Sequence, residues 1–137
     1  MKKILFRALW IWTLKTVAYA AFFVASIVFF FNNISPVILA AIYDLMIFLL
    51  AFLFAEWIFR RVLPNIRQLI VLIIVTYFWD MILLMAFSIW LLGPYRYSGT
   101  FMQGLLLFII HSAAISLAYY ARKRFAAVMG LAEGLEA

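Results

Sequence analysis

Apolar residues fill four long stretches of this chain, and short polar segments separate them. The stretches run approximately over residues 10–31, 37–59, 68–92 and 100–121. Each has about 20 residues or more, which is enough for an α-helix to cross the roughly 30 Å hydrocarbon core of a bilayer. Because the apolar residues are continuous and do not alternate with polar ones, the stretches predict helices rather than the strands of a barrel.

The composition is that of an integral membrane protein. Hydrophobic residues make up 71% of the 137 residues, whereas soluble domains have roughly 45 to 50%. No polar stretch is long enough to form a second folded unit, so residues 1–137 predict a single all-α domain. The sequence has no cysteine, which excludes disulfides, thiolate metal ligands and cysteine catalysis.

The turns and the basic residues predict the topology. Ser35 and Pro36 are suited to cap and start a helix, Pro64 and Asn65 lie in a basic loop, and residues 93–99 form a second polar turn. Ten of the eleven basic residues lie on one side of an up-down-up-down bundle, and Arg96 lies on the other. The ten are Lys2, Lys3, Arg7, Lys15, Arg60, Arg61, Arg67, Arg122, Lys123 and Arg124.

Short loops rich in Lys and Arg stay in the cytoplasm, so we expect both termini there. The pattern suits a multi-pass protein of a bacterial inner membrane. Because the basic residues sit at helix ends, it predicts contacts with anionic lipid rather than nucleic acid. Trp10 and Trp12 follow the first basic residues and are interpreted as an interfacial aromatic belt.

Three ionisable residues lie deep in the apolar stretches. Asp80 and His111 fall near the midpoints of the third and fourth stretches, and Asp44 falls roughly 6 Å nearer the outer surface. Burial favours the neutral form of each residue alone, whereas a paired carboxylate and imidazolium stabilise each other. The three residues therefore form a candidate intramembrane polar site for a proton or a cation.

A structural interpretation of the same residues is favoured for Asp80 and His111. A buried Asp and His can form one hydrogen-bonded clamp that fixes the register of two helices. For Asp44 both interpretations stay open, because it lies closer to water. We expect Lys15, Glu56 and Arg60 to form interfacial pairs, with Lys15 extending to the cytoplasmic surface.

Two other features have structural interpretations. Trp79 lies far from either interface, where it either packs over a cation or fills the bundle. Small residues at Ala51 and Ala55, and at Gly104 and Ala118, form faces that let another helix approach closely.

No enzymatic motif supports catalysis. The sequence has no HExxH, GxSxG or Walker motif, and its single histidine cannot supply a metal or haem site within one copy. We therefore expect no cofactor and no bound metal.

Two functions remain. The first is a non-enzymatic accessory or scaffold subunit that packs with itself or with a larger membrane complex through its small-residue faces. The alternative is a small oligomeric transporter or channel that uses Asp80, His111 and Asp44.

Overall fold

The computed structural model describes residues 1–30, 34–92 and 101–128 as four helices and their connections. Helix α1 is Lys2–Phe30, α2 is Pro36–Phe59, α3 is Ile66–Leu92 and α4 is Phe101–Val128. All four are long and apolar enough to span a membrane. The described residues are therefore all-helical, and the length and composition of the four helices indicate a multi-pass membrane protein.

The helix starts follow from local sequence. Pro36 occupies the first turn of α2, where its missing N–H costs no helical hydrogen bond. Ser35 occupies the N-cap position, as predicted, but its side chain makes no capping hydrogen bond. Asn65 and Gln68 form a reciprocal capping box at the start of α3, in which Gln68 N donates to Asn65 Oδ1 at 2.9 Å and Asn65 N donates to Gln68 Oε1 at 3.2 Å.

The first and the last helix of the chain are longer than the apolar stretches predict. Helix α1 begins at Lys2 rather than near Trp10, and α4 continues to Val128 rather than ending near Ala121. The polar residues at these ends continue the helical backbone although they do not contribute to hydropathy. The predicted turns at 32–33 and 93–99, with Arg96, and the tail from residue 129 lie outside the described residues.

The helices do not pack in chain order. Within the described residues, α1 packs with α2 and α3, and α4 packs with α2 and α3, so the order around the bundle is α1, α2, α4, α3. Contacts between α1 and α3 advance together along both helices, from Thr13 and Trp79 to Phe23 and Phe87. Contacts between α3 and α4 advance in opposite directions, because Tyr77 meets Gly104 and Ile73 meets His111.

Small residues line the contact between α2 and α4. Ala51 and Ala55 of α2, and Ala114 and Ala118 of α4, are completely buried inside the chain. Their small side chains let two helix backbones approach closely, which substitutes for the missing hydrophobic driving force in lipid. The expectation that these alanine faces pack against a partner protein is therefore wrong: the chain buries them itself.

Large apolar side chains cover the outside of the bundle. Phe6, Trp10, Phe78, Trp90 and Phe101 are each more than 60% exposed in the isolated chain. In a bilayer this surface contacts lipid tails, which are as apolar as the side chains.

Candidate functional site

The most deeply buried charges lie between α1 and α3. Lys15 Nζ donates to Asp80 Oδ2 at 2.7 Å. Thr16 Oγ1 lies 2.8 Å from Asp80 Oδ1 and 3.0 Å from Trp12 O, and its one hydrogen goes to the closer and more strongly accepting carboxylate. Lys15 and Asp80 are 2% and 4% exposed. Both carboxylate oxygens thus have a partner from the chain itself. Wherever the proton between Lys15 and Asp80 resides, the pair has no net charge.

A second side-chain hydrogen bond joins the same two helices one residue away. Trp79 Nε1 donates to Thr13 Oγ1 at 3.0 Å. The Thr13 hydroxyl in turn donates to Leu9 O at 2.8 Å, so its hydrogen is used within α1 while its lone pairs face α3. Asp80 and Trp79, which are consecutive on α3, therefore fix α3 against α1 at two points.

An aromatic ring lies beside the ion pair. The ammonium of Lys15 sits 5.0 Å from the centre of the Trp12 ring, within the range of a cation–π interaction. Trp12 is completely buried, whereas Trp10 is 63% exposed. Trp12 is therefore a core residue and not part of an interfacial belt, and the ring over the cation is Trp12 rather than Trp79.

His111 occupies a separate polar position between α3 and α4. Its Nε2 lies 3.1 Å from Ile73 O and 2.9 Å from Thr76 Oγ1. A carbonyl oxygen can only accept, so Nε2 carries a hydrogen and donates it. The Thr76 hydroxyl donates to Leu72 O at 2.7 Å, which leaves its oxygen free to accept from His111. These contacts assign the Nε2–H form of the imidazole.

Asp80 and His111 do not pair with each other. His111 meets Thr76, which precedes Asp80 by one helical turn, about 6 Å along the axis. The Trp12 ring contacts both Lys15 and His111, with its centre 5.0 Å from the Lys15 ammonium and 5.0 Å from the centre of the nearly perpendicular His111 ring. The predicted meeting of the carboxylate and the imidazole is therefore wrong by one turn of α3.

Asp44 belongs to neither position. It is half-buried on α2, which lies diagonally across the bundle from α3. Among the described residues no hydrogen bond or ion pair joins Asp44 to Asp80 or His111. The three residues of the predicted polar site therefore lie in three different places. The partner of Asp80 is Lys15, not His111 or Asp44.

The three residues that were expected to form interfacial pairs, Lys15, Glu56 and Arg60, do not all lie at one place. Glu56 lies 3.5 Å from Arg60 across one helical turn of α2 and 4.0 Å from Arg122 of α4. Lys15 does not reach this surface, because it sits near the middle of the 29-residue α1 and is buried against Asp80. Of the two partners expected for Glu56, Arg60 is the one observed, and the expectation that Lys15 extends to the surface is wrong.

Sequence reasoning missed two residues of the site. Thr16, which contacts Asp80, is not ionisable and was overlooked, and Trp12, which contacts Lys15, was assigned to the interfacial belt. The run Thr13, Lys15 and Thr16 within an apolar stretch was the available signal. A polar triplet at membrane depth needs partners inside the protein.

Two buried polar atoms of the core have no hydrogen-bond partner within the described residues. These are the indole nitrogen of Trp12 and the hydroxyl of Ser112. No group of three or more His, Asp or Glu side chains that could hold a metal ion occurs in the described part of the chain. Within the described residues, the buried polar groups are the Lys15–Asp80 ion pair, the His111 imidazole, and hydroxyl and indole groups.

Comparisons with protein-family models, with characterised proteins and with solved structures give no match for this chain.

Proposed function

We propose that this chain is a non-enzymatic membrane subunit, a compact four-helix element that supports a larger membrane assembly or its own oligomer. Its helices cross the membrane up-down-up-down with both termini in the cytoplasm. The contact directions between α1 and α3 and between α3 and α4 support this topology, as does the distribution of basic residues.

The observation that carries the proposal is the state of Asp80. A carboxylate that binds a transported proton or cation must be reachable, whereas Asp80 is 4% exposed and both of its oxygens are used by Lys15 and Thr16. A closed pair of this kind fixes the relative position of two helices. The pair thus acts as a clamp between α1 and α3.

Because the chain buries its own alanine faces, the partner binds on the outer surface of the bundle. That surface is made of large apolar side chains, which pack against another membrane protein as well as they pack against lipid.

The cost of the ion pair favours a second function, a small oligomeric transporter. Each charge at the bilayer centre costs about 2.5 to 3.5 kcal/mol on insertion scales, and apolar side chains replace many buried ion pairs without loss of stability. In this version Lys15 occupies Asp80 in the resting state and is displaced by a proton or a cation.

The mass of the complex after gentle extraction from the native membrane tests the proposal. A stoichiometric larger partner supports an accessory subunit. A homo-oligomer with no other chain leads to flux assays on Asp80→Asn, with Asp44→Asn as the matched control because Asp44 makes no contact with the pair. Loss of flux with unchanged assembly in Asp80→Asn alone would replace the scaffold by the transporter.

A further inference from the structure

Two arginines converge at one end of the bundle, where α2 and α4 lie side by side. Arg60 follows the last residue of α2, and Arg122 lies in the final turns of α4. Both approach the same oxygen of Glu56, with Arg60 Nη2 at 3.5 Å and Arg122 Nη1 at 4.0 Å. One carboxylate oxygen thus brings two guanidinium groups from different helices to one place.

The carboxylate does not satisfy these two groups. A charge-assisted N–H···O bond measures about 2.7 to 2.9 Å, so both distances to Glu56 are too long for hydrogen bonds. Each guanidinium has five N–H donors, and Glu56 is the one carboxylate within 4.0 Å of either among the described residues. The donors therefore remain available to a further anion.

Charge and aromatic side chains at this end match a lipid headgroup. Arg61, Lys123 and Arg124 are exposed beside the two arginines, so the cluster is strongly positive even with Glu56 present. Trp57 and Tyr120 are 45% and 61% exposed at the same level, where amphipathic rings mark the boundary between acyl chains and headgroups.

Aromatic rings pack next to the two arginines. The rings of Phe59 and Tyr119, which precede Arg60 and Arg122 on their helices, contact each other edge to face across α2 and α4, with centroids 5.8 Å apart. The guanidinium carbon of Arg122 lies 5.2 Å from the centre of the Phe125 ring, within the range of a cation–π interaction. This contact leaves the N–H donors of Arg122 available to a ligand.

The position also has an ordinary explanation, in which basic residues complement the negative end of a helix dipole. That explanation accounts for Arg60 at the end of α2. It does not account for the convergence of Arg60 and Arg122 on one point at distances that leave their donors unused.

We infer that Arg60 and Arg122 form a binding site for the phosphate of one anionic phospholipid from the surrounding leaflet. The two guanidinium groups bind the phosphate oxygens, Glu56 holds the two groups close to each other, and Trp57 and Tyr120 flank the start of the acyl chains. The inference requires that the helices span a membrane, and it holds for either function proposed above.

Native mass spectrometry of the full chain in neutral detergent tests the site, with phosphatidylglycerol and phosphatidylcholine as the added lipids. We expect one phosphatidylglycerol to bind in preference to phosphatidylcholine. Arg60→Gln with Arg122→Gln should weaken phosphatidylglycerol binding about tenfold or more. The matched control, Lys2→Gln with Lys3→Gln, removes the same charge from exposed positions of α1 and should change binding less than twofold.

Equal losses in the two double variants would overturn the site and leave only general charge attraction. Displacement of phosphatidylglycerol by millimolar inorganic phosphate would overturn the lipid assignment, because the site would then take the free anion. Thermal unfolding in the same detergent checks that both variants fold. If the arginine variant is unfolded, Arg60→Lys with Arg122→Lys replaces it. This variant keeps the charge but loses the planar forks, and we still expect weaker binding.

Discussion

At the scale of single residues, the Lys15–Asp80 pair is the feature whose removal should matter most. Asp80→Leu leaves the Lys15 ammonium buried without a partner, and a broken buried pair costs about 3 to 5 kcal/mol. Lys15→Met combined with Asp80→Leu removes both charges, and we expect it to recover most of that loss. The free energy of unfolding in mixed detergent micelles measures both effects.

The double variant is the control for Asp80→Leu, because the two free energies of unfolding are compared with each other. Met has nearly the volume of Lys, and Leu has the same branching and number of side-chain heavy atoms as Asp, so neither change leaves a cavity. A double variant less stable than Asp80→Leu alone would show that the two side chains do not act as a pair.

Gly104 tests the close contact between α3 and α4. The hydroxyl of Tyr77 donates to Gly104 O at 2.8 Å. A Cβ atom at this position would lie 3.7 Å from that hydroxyl, an ordinary van der Waals distance. Gly104→Ala should therefore keep the fold. It should also raise the thermal unfolding midpoint, because alanine is favoured over glycine within a helix by roughly 1 kcal/mol.

A large fall in the unfolding midpoint for Gly104→Ala would contradict this prediction. It would mean that the helix backbones must approach so closely at Gly104 that no methyl group fits between them. Gly104→Leu serves as the comparison, since its longer side chain must displace Tyr77. We expect only the leucine variant to lose stability.

The sequence allowed the buried polar residues to be recognised but not their partners. Asp80 and His111 stand out in apolar stretches, and both are buried. The pairing of Asp80 with Lys15 depends on where α1 begins and on α1 and α3 being neighbours in the bundle. Neither follows from the hydrophobic pattern, because membrane helices are apolar on all sides and show little contrast between buried and lipid-facing positions.

At the scale of helices, the contact between α2 and α4 depends on small side chains. Ala55 is completely buried at this contact, so Ala55→Leu should force the two backbones apart and lower stability by about 1 to 3 kcal/mol. The matched control is Ala41→Leu, an exposed position of the same helix, where we expect no change. Thermal unfolding of the detergent-solubilised protein separates the two variants.

Equal losses at Ala41 and Ala55 would indicate that leucine disturbs α2 itself, and no loss at either would indicate that the α2–α4 contact is loose. Sequence reasoning recognised this face of α2 from the spacing of its alanines. It assigned the face to the wrong partner, because spacing identifies a close-packed surface without identifying the helix that covers it.

At the scale of the whole molecule, the helix count was predictable and the arrangement was not. Four membrane-capable helices follow from length and hydropathy alone. The order α1, α2, α4, α3 around the bundle places the consecutive helices α2 and α3 diagonally. This order separates Asp44 from Asp80, and it cannot be read from a chain whose connections are compatible with several orders.

The orientation of the chain in the membrane can be measured by cysteine labelling. Because the sequence has no native cysteine, only the introduced cysteine can react. Single cysteines at Lys3 and Arg61, which are exposed near the start of α1 and the end of α2, should react with a membrane-impermeant maleimide only when the cytoplasmic face is open. Ser35→Cys, which is exposed at the start of α2, should react from the opposite face. With Lys15 buried inside the bundle, nine basic residues at the helix ends against one still make the reverse pattern costly, because cytoplasmic retention of Lys and Arg fixes orientation. Labelling of Lys3→Cys and Ser35→Cys from the same face would mean that α1 does not cross the bilayer. In that case the Lys15–Asp80 pair could not lie at the membrane centre, and both proposed functions would lose their basis.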